Sequence, residues 1–360
     1  MLLAAFRVSR ALLVAGLLVA CSDSDPGESW VPLEDDQLAG VNFGLVWGVG
    51  DDVWTSVEPP DNPLINTVMH FDGDRWEYVA EGQGLGEHIV ALWASSPDDL
   101  WVAARSQSGE FSLWHGDGSS WSQVAAAFTG LSAVVVRVTG IWGTATDDVW
   151  VTVELEDGDD VALRYDGETW QVMFQMALLL ERDNESRLLG GCSYDRDDVV
   201  LRAGTPETSS KEYMLRWDGA AWNEVSFGDV APDGYVSLLC QGGGAWGITG
   251  ARIYSPNDLI RSDGQGGWET LMLFDPPSRI ADVWIGDNGD GWILGVEIPD
   301  DPDESGTMEI WRLSDGVATP TLADDQVFLA GTLTRVWQTV SGRVFAFGDE
   351  DLVLEYVGPE

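Results

Sequence analysis

Basic residues are scarce in this chain. Eighteen lysines and arginines stand against 61 aspartates and glutamates, a formal net charge of −43, and Lys211 is the one lysine. That field repels phosphate backbones, which excludes nucleic-acid binding through a basic face and disfavours electrostatic docking to anionic head groups. Solubility and mutual repulsion account for the acidity without naming a ligand. Cysteine and histidine are equally sparse, at three each, too few and too scattered for a zinc site. HExxH and GxSxG are both missing. His70, His88 and His115 fall at different points of the sequence pattern described below, so no convergent nucleophile, base and charge stabiliser can be assembled. No helix-length amphipathic stretch follows the first twenty residues.

Those first twenty residues carry Arg7 and Arg10 and then an apolar and small run of ten residues, Ala11 to Ala20. A membrane-spanning helix needs roughly 20, so residues 1–20 read as a cleaved secretory signal peptide. Leu18-Val19-Ala20-Cys21 resembles the bacterial lipobox, which implies lipidation of Cys21 and a mature chain that sits on a membrane without crossing it. Residues 21–29 are then the lipidated cysteine and a polar tether, and 30–360 the folded domain. The expected address is the bacterial envelope, at the outer membrane or cell surface. Cys192 and Cys240 remain, either as one disulfide in an oxidising compartment or as buried free thiols.

What is abundant is tryptophan, 19 residues of it, in segments that recur about every 48 residues, a blade-like period. VWGVGDDVW (Val46–Trp54), LWASSPDDLW (Leu92–Trp101) and IWGTATDDVW (Ile141–Trp150) are followed by a worn copy, GCSYDRDDVV (Gly191–Val200). A second signature ends at Trp76, Trp121, Trp170, Trp222 and Trp268: FDGDRW, HGDGSSW, YDGETW, WDGAAW and SDGQGGW. Two tracks of equivalent positions give seven units: Trp47, Trp93, Trp142, Cys192, Cys240, Trp284 and Trp337, and Trp54, Trp101, Trp150, Val200, Trp246, Trp292 and Phe345. Each unit holds four short Val-, Trp- and Ile-rich strands. Asp-Gly supplies the positive-φ residue of the hairpin between the third and fourth, and Asp-Asp caps the turn between the first and second. The expected fold is all-β: a single propeller of about seven four-stranded blades, its tryptophans packing blade against blade. The last unit lacks a fourth strand. Ser29 to Leu33 looks like RWEYV and AAWNEV, so the N-terminus is expected to complete that blade and join the ring.

The repeat resembles the tryptophan-rich propeller repeats of bacterial secreted proteins and lipoproteins, WG…DDVW followed by YDGxxW. It is distantly similar to YCF48-like propellers and to the Asp-box hairpin of sialidase-like ones. In the Asp-box the Asp and Gly are separated, whereas here they are adjacent, so no sialidase residue carries over.

Calcium is the one cofactor that acidic loops suggest. The candidate ligands are Asp157, Asp159 and Asp160 in ELEDGDD, and Asp287 and Asp290 in DNGDG; Asp300 to Glu304 is a third cluster, and none has EF-hand spacing. In a four-stranded meander the short Asp-Asp and Asp-Gly turns emerge on one face, the turn face. The long irregular connections emerge on the other, the loop face, where function concentrates. Glu154, Glu156, Asp157, Asp301, Asp303 and Glu304 are therefore the binding-face candidates. The leading reading is a monomeric, non-enzymatic, lipid-anchored binding or assembly module for an envelope protein, peptide or glycan. The alternative is a calcium-dependent polysaccharide hydrolase or lyase.

Overall fold

The computed structural model describes residues 29–358, apart from 61–65, 80–84, 86–87, 119, 177–186, 205–211, 226–235, 242–243, 250–257, 263–266, 274–277, 298–305, 323–327, 330–331 and 350–351. Seven antiparallel sheets make a seven-bladed β-propeller. In blade 1 the strands are Asn42–Val49, Asp52–Glu58, Thr67–Phe71 and Trp76–Tyr78. The same order repeats through blade 2 (His88–Gln123), blade 3 (Val135–Gln175), blade 4 (Arg187–Val225), blade 5 (Val236–Leu273) and blade 6 (Ser278–Pro320), where Phe328–Leu329 adds a short fifth strand. The seventh sheet joins Leu333–Gln338, Val344–Gly348 and Val353–Val357 to Ser29–Pro32, with Ser29 opposite Val357 and Pro32 opposite Leu354. First strands of neighbouring blades pack on one another around the axis, and 333–338 meets 42–49 across the ring.

The two sequence tracks face each other across the first hairpin of each blade. Trp47 pairs with Trp54, Trp93 with Trp101, Trp142 with Trp150, Cys192 with Val200, Trp284 with Trp292 and Trp337 with Phe345. Blade 5 is one residue out of step, Leu239 lying opposite Trp246 and Cys240 opposite Ala245. Cys192 and Cys240 are thus not register equivalents. Cys192 is buried, and the side chain of Cys240 lies outside the described residues.

Second strands are buried along nearly their whole length, as in Asp52–Glu58, because each is covered by a blade on either side. One aromatic contact recurs at these interfaces. The tryptophan opening a fourth strand stands against the second-strand aromatic of the preceding blade: Trp170 on Trp101 at 5.8 Å, Trp222 on Trp150 at 6.2 Å and Trp76 on Phe345 at 6.2 Å. Trp30 meets Trp292 in the same way, at 5.4 Å and 85°. Indole N–H groups bind the same seams. Trp121 donates to the Val79 carbonyl, Trp222 to Met173 and Trp30 to the Thr321 hydroxyl.

Trp150 is fully buried, stacked 6.4 Å from Trp142 and edge-on to Trp222. Trp150→Ala leaves an indole-sized void that the sheets cannot collapse to fill. It should cost about 3–5 kcal/mol, read as a lower urea midpoint at unchanged slope.

Candidate functional site

The turn ends of blades 1 to 4 and 7 are built on a polar or ionic pair between the second and third strands. The second Asp of each Asp-Asp turn reaches across to the third strand: Asp52 to His70 at 2.6 Å, Asp99 to His115 at 2.7 Å, Asp148 to Arg164 at 2.7 Å and Asp198 to Arg216 at 2.7 Å. The third-strand side chain lies over the second-strand aromatic. His70 stacks on Trp54 at 4.7 Å, His115 lies 4.5 Å from Trp101, and the Arg164 and Arg261 guanidinium groups sit 5.4 Å and 5.7 Å from Trp150 and Trp246. Blade 7 reverses the charges: Arg343 precedes the second strand, Glu355 occupies the third, and they pair at 2.7 Å with Arg343 5.1 Å from Phe345.

This corrects the reading of the histidines. His70 and His115 occupy one register position, opposite Trp54 and Trp101, where the later blades place Arg164, Arg216, Arg261, Arg312 and Glu355. A position filled equally by arginine serves charge and stacking rather than proton transfer. The signal was present as a histidine or arginine two residues before each Asp-Gly, in HFDG, HGDG, RYDG, RWDG and RSDG. His88 is separate, bonded to Asn66. Asp-Asp is likewise more than a turn cap. Capping falls to the Asp of Asp-Gly: Asp72, Asp166 and Asp218 each accept two turn amides, which hold their carboxyls below the usual range.

The calcium candidates do not converge: Asp157, Asp159 and Asp160 lie on the loop face of blade 3, whereas Asp287 and Asp290 fall in the first-to-second turn of blade 6, on the turn face. Asp157 accepts from the Ser132 hydroxyl and the Asp159 amide, and Asp290 from Asn288 and the Asp315 amide, while Asp287 is exposed. Among the described residues no three acidic, histidine or cysteine side chains are grouped to hold a metal. The reason is local: neighbouring carboxylates in these loops are spent on different backbone amides. Glu154 pairs with Arg187 at 3.3 Å, Glu156 and Asp157 are exposed, and Asp301, Asp303 and Glu304 lie outside the described residues, as does Cys21.

A different group comes together on the loop face. Asn42, Phe43, Gly44, Glu58, Asn66 and Asp349 line a recess of about 430 Å³ at the loop end of the seam between blades 1 and 7. Asn42 and Glu58 face each other at the open ends of the first two strands. A bulge follows them, in which the Ser56 hydroxyl accepts the Leu45 amide and lies so near Gly44 that a Cβ there would meet it at 2.6 Å. Asn66 precedes the third strand and Asp349 follows the second strand of blade 7. Carboxylates, carboxamides and a buried ring make a lining rich in hydrogen-bond acceptors with some donors.

No protein family and no curated protein matches the sequence. Solved structures do match in fold. YCF48 from Cyanidioschyzon merolae aligns at 14% identity over 91% of this chain and 98% of that one, with a TM-score of 0.54. The β-propeller domain of the trilobed protease from Pyrococcus furiosus aligns at 14% identity, over 85% and 95%, with a TM-score of 0.52. A prolyl endopeptidase aligns at 10% identity over 90% of this chain and 51% of that one, with a TM-score of 0.58.

Asp160 gives the loop face a pH dependence. It is fully buried at the end of the connection between the second and third strands of blade 3. One carboxyl oxygen accepts the Leu188 amide of blade 4 at 2.5 Å, and the other has no partner among the described residues. Burial, opposed by the Leu188 bond and Arg187, pushes its pKa up to about 7. A raised carboxyl pKa means that the folded state holds a proton the unfolded chain has released. Stability therefore falls as pH rises from about 4 to about 7 and levels off above. Asp160→Asn keeps the acceptor without the charge. It should flatten that slope, worth at most on the order of 4 kcal/mol, in urea titrations at pH 5 and pH 8.

Proposed function

We propose that this protein is a non-enzymatic, lipid-anchored binding module of the bacterial envelope that takes a neutral glycan at the loop face. The observation that carries this reading is the recess at the seam of blades 1 and 7. Vicinal hydroxyls of a sugar present paired donors to carboxylates such as Glu58 and Asp349, and carboxamides such as Asn42 and Asn66 both donate and accept, which suits hydroxyl groups. A chain of net charge −43 repels acidic polymers, so an uncharged glycan fits better than a charged one. The recess is carried by strand ends on a rigid ring, so little ordering is required before a ligand docks. Lipidation at Cys21 supplies the anchor in this reading. Glu58→Gln with Asp349→Asn should weaken binding of envelope glycan fragments by tenfold or more in isothermal titration. Asp166→Asn on the turn face should leave affinity unchanged. Equal affinity in all three proteins would remove the recess from the reading, and capture of a protein or peptide in place of glycan would change the ligand class.

We also propose that the strand at Ser29–Pro32 is what closes the ring. It supplies the outer edge of blade 7, and Trp30 fills the interface with blade 6, where the last unit of the sequence offers no fourth-strand tryptophan of its own. Deleting residues 29–33 should lower the melting temperature by 10 °C or more and expose an edge prone to aggregation. A truncated protein that melts with the parent would reduce the segment to a linker.

A further inference from the structure

The direction of Ser29–Pro32 fixes where the chain preceding it leaves the propeller. In each blade the first strand runs from the loop face to the turn face, and the strands alternate from there. Val353–Val357 is the third strand of blade 7, so Val357 lies at the turn face, and so does its partner Ser29. Leu33, bonded through its amide to the Val353 carbonyl, lies at the loop face. Eight Cα steps separate Cys21 from Ser29, a span of at most about 28 Å when fully stretched. The first strand of blade 1 is eight residues long, which puts the two faces about 26 Å apart. Even a taut tether would be used up merely in passing the edge of blade 7, leaving no slack to turn the loop face toward the bilayer.

A second, independent observation concerns charge. Many ion pairs sit at the turn end: those of Asp52, Asp99, Asp148, Asp198 and Glu355 with their third-strand or turn partners, Arg75 with Asp72 and Glu77, Arg196 with Asp147, and Arg261 with Glu269, whereas Arg187–Glu154 sits at the loop end. Several carboxylates of that face, Asp147, Asp148, Asp198 and Glu355 among them, are paired with arginines within the protein. Those pairs reduce the repulsion that anionic head groups meet at the turn face.

We infer that the turn face lies against the membrane and the loop face, with its recess, points away from it. The inference rests on the anchoring reading above and adds an orientation to it. It is tested on the mature lipidated protein in vesicles of phosphatidylethanolamine and phosphatidylglycerol containing a head-group energy-transfer acceptor. Single fluorophores are attached through a non-natural amino acid at Val340 (83% exposed, turn face of blade 7), Glu168 (exposed, turn face of blade 3) or Val134 (64% exposed, loop face of blade 3). Transfer from Val340 and from Glu168 should each exceed that from Val134 at least twofold. Equal transfer from Glu168 and Val134 would mean an edge-on protein, and higher transfer from Val134 an inverted one; either overturns the orientation. Cys21→Ser separates the two readings. If the parent fails to bind vesicles, or the variant still binds, the anchor itself is wrong and the orientation falls with it.

Discussion

The edge-on contact between a fourth-strand tryptophan and the second-strand aromatic of the blade before it is the interaction on which the ring depends. A four-stranded antiparallel sheet can leave one face in water, but a propeller blade has neighbours on both faces and must bury both. Indole supplies the area for this at little cost in side-chain entropy, and its N–H can still reach a carbonyl or hydroxyl at the seam. The contact joins one blade to the preceding one at four interfaces, 2/3, 3/4, 6/7 and 7/1. At the interface of blades 6 and 7 the tryptophan is Trp30, from the opposite end of the sequence.

A chain this acidic has to place its carboxylates where they do not drive the sheets apart. At the turn end they lie beside cations held flat on indole rings, so each aspartate is neutralised next to the aromatic that also packs the blade. Burying such a pair brings little net stability by itself, but breaking one half of it strands a charge against the core. At the loop end, strand ends diverge and the carboxylates are divided among backbone amides, solvent and the recess. The buried Asp160 and the partly buried, mid-strand Asp282 are exceptions. Each accepts an amide from the next blade, Leu188 or Val336, and burial pushes Asp282 up to about 6. In both, burial favours the protonated form while the amide bond to the next blade favours the ionised one.

Much of the architecture is legible in the linear sequence because the motifs are local. WG…DDVW spells a first strand, a turn and a second strand, and DGxxW spells a hairpin with its positive-φ glycine, so both survive as contiguous text. The Asp-to-cation pairs were missed because they depend on cross-strand register: Asp52 and His70 stand 18 positions apart, Asp99 and His115 only 16. The one-residue slip of blade 5 is invisible for the same reason, since Cys240 and Trp246 fit their tracks but not each other. Acidic runs suggested calcium because proximity in sequence was taken for convergence in space. The recess had no linear signal at all, being assembled from Asn42 to Asn66 and from Asp349 across the seam.

The reversed pair in blade 7 bears on how the chain avoids misassembly. Repeats with similar hairpins invite strand exchange, either between blades during folding or between two molecules at high concentration. The second strand preceded by Arg343, set against the third strand of blade 3, 4, 5 or 6, would meet Arg164, Arg216, Arg261 or Arg312 instead of Glu355. Glu355, conversely, would face an aspartate. Both mispairings put like charges against an aromatic surface with little water to screen them. The last hairpin is thereby keyed to itself by sign, in a protein whose other hairpins are nearly interchangeable.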